Sequence, residues 1–130
     1  MKRAYLIVVE PGDAKHAFGV QVPDLPGCFA AGDTFADALA NAQEAVLLHL
    51  DDLARRKQEM PLPRSKIKAP KDCVVAAVMV DLNDVGGSER VNITLPKVLL
   101  KQIDRAAKRA GESRSGFLVQ AALQRAGEAA

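Results

Sequence analysis

The chain has 130 residues, enough for one ordinary domain or two small ones, with 18 Lys and Arg against 16 Asp and Glu. Apolar residues at 48% and charged residues at 26% are usual for a folded chain and exclude a disordered one. No apolar run approaches the roughly 18 residues of a membrane span, two cysteines cannot build a disulfide framework, and five aromatics without a Trp are poor material for stacking single-stranded bases.

The basic start followed by Tyr5–Val9 has the outline of a signal peptide, but Glu10-Pro11-Gly12-Asp13 ends the apolar stretch too early, and no small-residue cleavage site follows. A cytoplasmic protein is expected. Tyr5–Val9 is instead a β-branched run, hence a buried strand. Pro11-Gly12-Asp13 turns the chain, and Phe18, Val20 and Val22 alternate on the second strand of an antiparallel hairpin. Pro23-Asp24-Leu25-Pro26-Gly27 interrupts the ladder because neither proline can donate a hydrogen bond. Cys28–Ala31 is a third, short strand. Thr34 then opens a long helix. Thr34-x-x-Asp37 has the capping-box spacing, and Phe35, Leu39, Ala42, Val46, Leu50 and Leu53 fall on one apolar stripe. Arg55, Arg56 and Lys57 suit the negative end of its dipole. Residues 58–72, with Arg64, Lys66, Lys68 and Lys71, read as a solvated basic loop. Cys73–Val80 is a near-continuous apolar strand of the kind buried in the middle of a sheet. The β-β-β-α-β order packs the helix on one face of a small sheet, and the other face needs a second copy or a partner.

No catalytic residue, cofactor or metal site is expected. His16 and His49 have no nucleophile or second ligand at a useful spacing. A two-metal nuclease would want carboxylates projecting from strands, but Asp24 falls in a proline-bounded turn, and Asp33 and Asp37 fit duties at the helix start. The string Val22-Pro-Asp-Leu-Pro-Gly-Cys28, then Gly32-Asp-Thr34 and a helix carrying Ala38, Ala42 and Ala45, resembles the amino-terminal domain of HicB family antitoxins over roughly residues 3–80. The resemblance implies a partial ribonuclease-H-like fold without its nuclease site. It also implies a protein partner, the HicA toxin, a small messenger-RNA-cleaving protein of double-stranded-RNA-binding fold that uses a histidine. The antitoxin domain covers that active site.

A polar stretch with Gly86-Gly87 marks a linker at 83–88, dividing a domain at 1–82 from one at 89–130. Charge divides there too: residues 1–86 hold ten Lys and Arg against twelve Asp and Glu, whereas 87–130 hold eight against four. Glu89-Arg-Val-Asn-Ile-Thr-Leu-Pro96 alternates strictly, with Val91, Ile93 and Leu95 on one side and Arg90, Asn92 and Thr94 on the other. A helix follows from Lys97, with Leu99, Ile103, Ala106 and Ala110 as its stripe and Gly111 as its stop. Ser113 caps a second helix, with Phe117, Leu118, Ala121, Ala122 and Ala126 inward and Gly127 at its end. One strand and two helices cannot satisfy a strand edge or bury both helices, but two copies can, as an antiparallel ribbon over four helices.

Residues 89–126 therefore resemble the ribbon-helix-helix fold of the Arc and MetJ type. The whole is an α+β protein in two parts. On that resemblance Arg90, Asn92 and Thr94 face base edges in the major groove, while the amides of Ser113–Ser115 and the Arg114 side chain suit a phosphate. The expected protein is an antitoxin and repressor of its own operon. Its partners are a HicA-type toxin, operator double-stranded DNA and a second copy through the ribbon, a tetramer if the first domains pair as well. The competing expectation is a ribbon-helix-helix repressor whose first domain senses a small molecule. A residual hydrolase on the ribonuclease-H-like scaffold is a third.

Overall fold

A computed structural model of the chain describes residues 1–129, so residue 130 of the expected second domain lies outside the described residues. The chain divides into two compact units, one at Met1–Ser88 and a second beginning at Glu89.

The first unit is a four-stranded antiparallel sheet of order β3-β2-β1-β4 with one helix against it. Strand β1 (Lys2–Glu10) pairs with β2 (Phe18–Gln21), and β2 with β3 (Phe29–Gly32). Helix α1 spans Phe35–Arg55 and leads through a long connection to β4 (Val74–Asp81), which returns beside β1. The β-β-β-α-β order is the expected one. Tyr5, Ile7, Val9, Val20, Val78 and Val80 from the sheet and Ala38, Ala42, Val46 and Leu50 from α1 make one buried core.

Two details differ from the sequence reading. The fully buried residues of α1 are Ala38, Ala42, Val46 and Leu50, with Leu39 and Leu53 packed partly buried beside them. Of the expected stripe Phe35 therefore falls outside and Ala38 comes in, its small side chain letting the helix lie close to the sheet. Phe35 stays partly exposed and meets Phe18 edge-on. Strand β4 is an edge strand, not a middle one. Val78 and Val80 face the helix, while Val75 and Met79 stay 43% and 52% exposed on the other side. Its unbroken apolar run hid the alternation from view.

Gly32 closes β3, and a Cβ there would collide with the backbone of Asp37 and Ala38, so this close passage of strand and helix requires a glycine at that position. Thr34 caps α1, its Oγ1 accepting the Asp37 N–H at 3.0 Å. The stretch read as the start of the linker is ordered. Leu82–Asp84 forms a 3₁₀ turn, Val85 packs on the core, and the Gly86 N–H donates to the Asp51 carboxylate at 2.7 Å.

The second unit holds α2 (Lys97–Arg109) and α3 (Arg114–Ala129), joined by a turn in which Gly111 adopts φ +71°. Ser113 is the cap of α3, accepting the Gly116 N–H at 3.0 Å, and α3 continues through Gly127 instead of ending there. Residues 89–96 form no ladder in the single chain. A strand exists only against a partner strand, and this unit supplies none among the described residues.

Candidate protein and DNA interfaces

The motif Val22–Cys28 folds into a tight loop that plugs one end of the core. The N–H of Leu25 donates to the Val22 carbonyl and that of Cys28 to the Leu25 carbonyl, both at 3.0 Å. Val22, Leu25 and Cys28 are buried, and Gly27 takes φ +85° to complete the turn. Pro23 and Pro26 occupy positions from which no donor is required. Burial pushes the Cys28 thiol up, which suits an inert apolar residue. Cys73 is likewise free.

Asp24 of this loop holds a distant segment. Its side chain, only 7% exposed, accepts the Arg64 N–H at 2.8 Å and Nε–H at 2.5 Å. Tyr5 adds a second staple by donating its hydroxyl to the Pro61 carbonyl at 2.5 Å while receiving Arg3 at 3.2 Å. Met60 packs against the core beside it. The basic loop 58–72 is therefore pinned to the sheet, and with Pro23 it borders an open cleft of 610 Å³ lined by Arg64, Lys66, Ile67 and Lys68. Neither staple was visible in the sequence, because each joins residues 40 or more positions apart.

The sheet face away from α1 is covered only in part: Val8 is buried there, whereas Phe29, Val75 and Met79 are exposed. The β1–β4 and β2–β3 registers place Leu6, Val8, Phe29, Val75 and Met79 on it. Phe29 is 64% exposed, and the sequence reading passed over it as an ordinary residue of a short strand. Against this apolar surface the acidic residues do structural work. Asp13 is lowered by the Lys15 N–H and by His16, Asp51 by the Gly86 N–H and by Arg55, and Asp81 by the Asn83 N–H. Among the described residues no group of three His, Cys, Asp or Glu could hold a metal ion. No described helix is long and apolar enough to cross a membrane.

In the second unit Arg90, Asn92 and Thr94 are all exposed, and so are Val91 (75%) and Ile93 (60%). The alternation has two free faces here, because the apolar side has nothing to rest on. The helices show the same deficit. Ala107 is buried, with Leu100, Ile103, Phe117 and Leu118 half-buried between α2 and α3, whereas Leu99, Ala121 and Ala122 lie exposed instead of inward. At the turn Ser113, Arg114 and Ser115 stand together at the start of α3. Arg114 carries a feature that the sequence reading missed: its Nε and Nη2 donate to the two carboxylate oxygens of Asp104, each at 2.9 Å.

A family model described as the HicB-like antitoxin of bacterial toxin–antitoxin systems matches residues 5–122, a span that enters both units. The chain belongs to the HicB-like antitoxin family. It is similar to an uncharacterized 14.9 kDa protein in the rep–hol intergenic region of Haemophilus phage HP1, 41% identical over 114 residues that cover 82% of this chain and 86% of the relative. Among solved structures, this HicB-like chain resembles the Burkholderia pseudomallei antitoxin HicB, with 33% identity and a TM-score of 0.66 over 97% of this chain and 98% of that one. The amino-terminal domain of that antitoxin, crystallised by itself, matches at 30% identity and a TM-score of 0.51, covering 61% of this chain and 99% of that chain.

Proposed function

We propose that the chain is a two-part antitoxin. Its first unit binds and neutralises a HicA-type messenger-RNA-cleaving toxin, and its second, from residue 89, pairs with a second copy as a ribbon-helix-helix and represses the operon at operator DNA. On this reading the first unit is a reduced ribonuclease-H-like fold that acts by covering the toxin and not by catalysis. Family membership across 5–122 carries the proposal.

Each unit also has the surface the reading requires. The first exposes the apolar side of its sheet, suited to a protein. The second leaves Val91 and Ile93 without cover, which a ribbon formed with a second copy would bury, turning Arg90, Asn92 and Thr94 toward base edges. Doubling the second unit also doubles its positive charge, which draws it to phosphate. The small-molecule sensor reading would use the open cleft at Pro23, Arg64, Lys66, Ile67 and Lys68.

Co-expression with the small toxin gene beside its own tests the first half. Growth should be rescued by the full chain and also by residues 1–88 alone. No rescue by the full chain would remove the toxin reading and leave the sensor. For the second half, Arg90→Ala should cost about 1–3 kcal/mol of operator affinity with toxin binding intact. Equal loss of both would show that the two jobs are not divided between the units.

A further inference from the structure

Asp104 lies in the middle of α2 and Arg114 is the first residue of α3, ten positions later. Two parallel N–H···O bonds of 2.9 Å join them. A guanidinium–carboxylate fork fixes orientation as well as distance, and a lysine in place of the arginine cannot reproduce it. The Arg114 hydrogen bonds hold the Asp104 carboxyl below the usual carboxylate range, and Asp104 pushes Arg114 up, so both stay charged at neutral pH.

This arrangement has a consequence for phosphate binding. The Nε–Nη2 edge of the guanidinium is already filled by a carboxylate of the same unit. A phosphate arriving there would also meet the negative charge of Asp104. Meanwhile the rest of the turn is set by local bonds: Gly111 ends α2, Ser113 Oγ holds the Gly116 N–H, and the Ser113 carbonyl accepts the Phe117 N–H at 2.9 Å. Beside the packing of Leu100, Ile103, Phe117 and Leu118 between the helices, the fork is the polar tie that spans from α2 to α3.

We infer that Asp104 is a positioning residue for the DNA-binding unit: through its fork with Arg114 it sets the first turn of α3 against α2, and Arg114 serves by position and not by touching phosphate. The inference rests on the DNA-binding reading only for its effect on affinity; the clasp itself is a property of the unit alone.

The test uses the full chain and a duplex of the DNA upstream of its own coding sequence, titrated by fluorescence anisotropy at several salt concentrations, together with amide hydrogen exchange at Ser115–Phe117. Asp104→Ala should weaken the duplex on the order of tenfold, leave the salt slope unchanged, and speed exchange in the first turn of α3. Arg114→Lys should match it despite keeping the charge. The exchanged pair, Asp104→Arg with Arg114→Asp, should recover both affinity and protection. The inference is overturned if Arg114→Lys binds as wild type, if Arg114→Ala lowers the salt slope by about one phosphate contact, or if the exchanged pair regains protection without affinity. Should the wild-type chain bind no duplex, the DNA reading falls, and exchange alone decides the clasp: unchanged protection in Asp104→Ala refutes it, and loss restored by the exchanged pair sustains it.

Discussion

The Tyr5 hydroxyl and the Asp24 carboxylate do the same work from different parts of the sheet, each fixing the segment between α1 and β4. Asp24→Ala should therefore cost about 1–3 kcal/mol in urea unfolding, since it strips two donors of a nearly enclosed acceptor. Arg64→Ala should cost less. Its guanidinium is 59% exposed, and the carboxylate keeps the backbone N–H of residue 64. Tyr5→Phe should cost about 0.5–1.5 kcal/mol on the same assay. A pH series reports on the capping acids. Asp13, Asp51 and Asp81 all titrate below their ordinary value in the fold, so their contribution is complete above the ordinary value of 3.8 and lost as pH falls through the lower native values. Asp51→Asn should flatten part of that acid decline, measured by thermal melts between neutral and strongly acidic pH. None of these residues has a role that its neighbours in sequence reveal, except where the partner is local. Thr34 and Asp37 are three positions apart and were legible, whereas Asp24 looked like a plain turn residue because its partner comes 40 positions later.

At the scale of elements, the apolar pattern found the four strands and the long helix of the first unit, because burial on one face leaves a direct trace in sequence, but not the short 3₁₀ turn at Leu82–Asp84. What it missed was order within the sheet. A run such as Val74–Val80 reads the same at the edge as in the middle when its exposed positions are also apolar. The helix stripe shifted at its start for a related reason: Ala38 is a weaker hydrophobic signal than Phe35, but it decides how closely α1 approaches the strands. Leu50, fully buried beneath that stripe, should cost about 2–5 kcal/mol as Leu50→Ala, read from the denaturant midpoint. Gly32→Ala should also destabilise strongly, despite adding only a methyl group, because backbone and not a flexible side chain stands in its way.

For the molecule as a whole, the division near residue 88 separates a unit with a closed core from one whose apolar surface is mostly exposed. Alternation in 89–95 was legible as chemistry, yet it forms no strand in one chain, since a ladder is a property of two. If a second copy completes that unit, the thermal midpoint of its transition should rise with protein concentration while that of the first unit stays fixed. Calorimetry over a hundredfold concentration range would show it, and two concentration-independent transitions would argue against pairing.

Gln43 reaches from α1 to donate to the Met79 carbonyl at 2.7 Å. Since the Leu82 N–H bonds to Met1, even-numbered positions of β4 face β1 and Met79 points outward, so the amide sits on the free rim of the sheet. A foreign strand adding there must displace that amide or share its acceptor, giving up part of a hydrogen bond worth about 0.5–1.5 kcal/mol. One glutamine thus guards a valine-rich border whose one charged residue is Asp81 at its end, and Gln43→Leu should make the chain more prone to fibre formation on agitation.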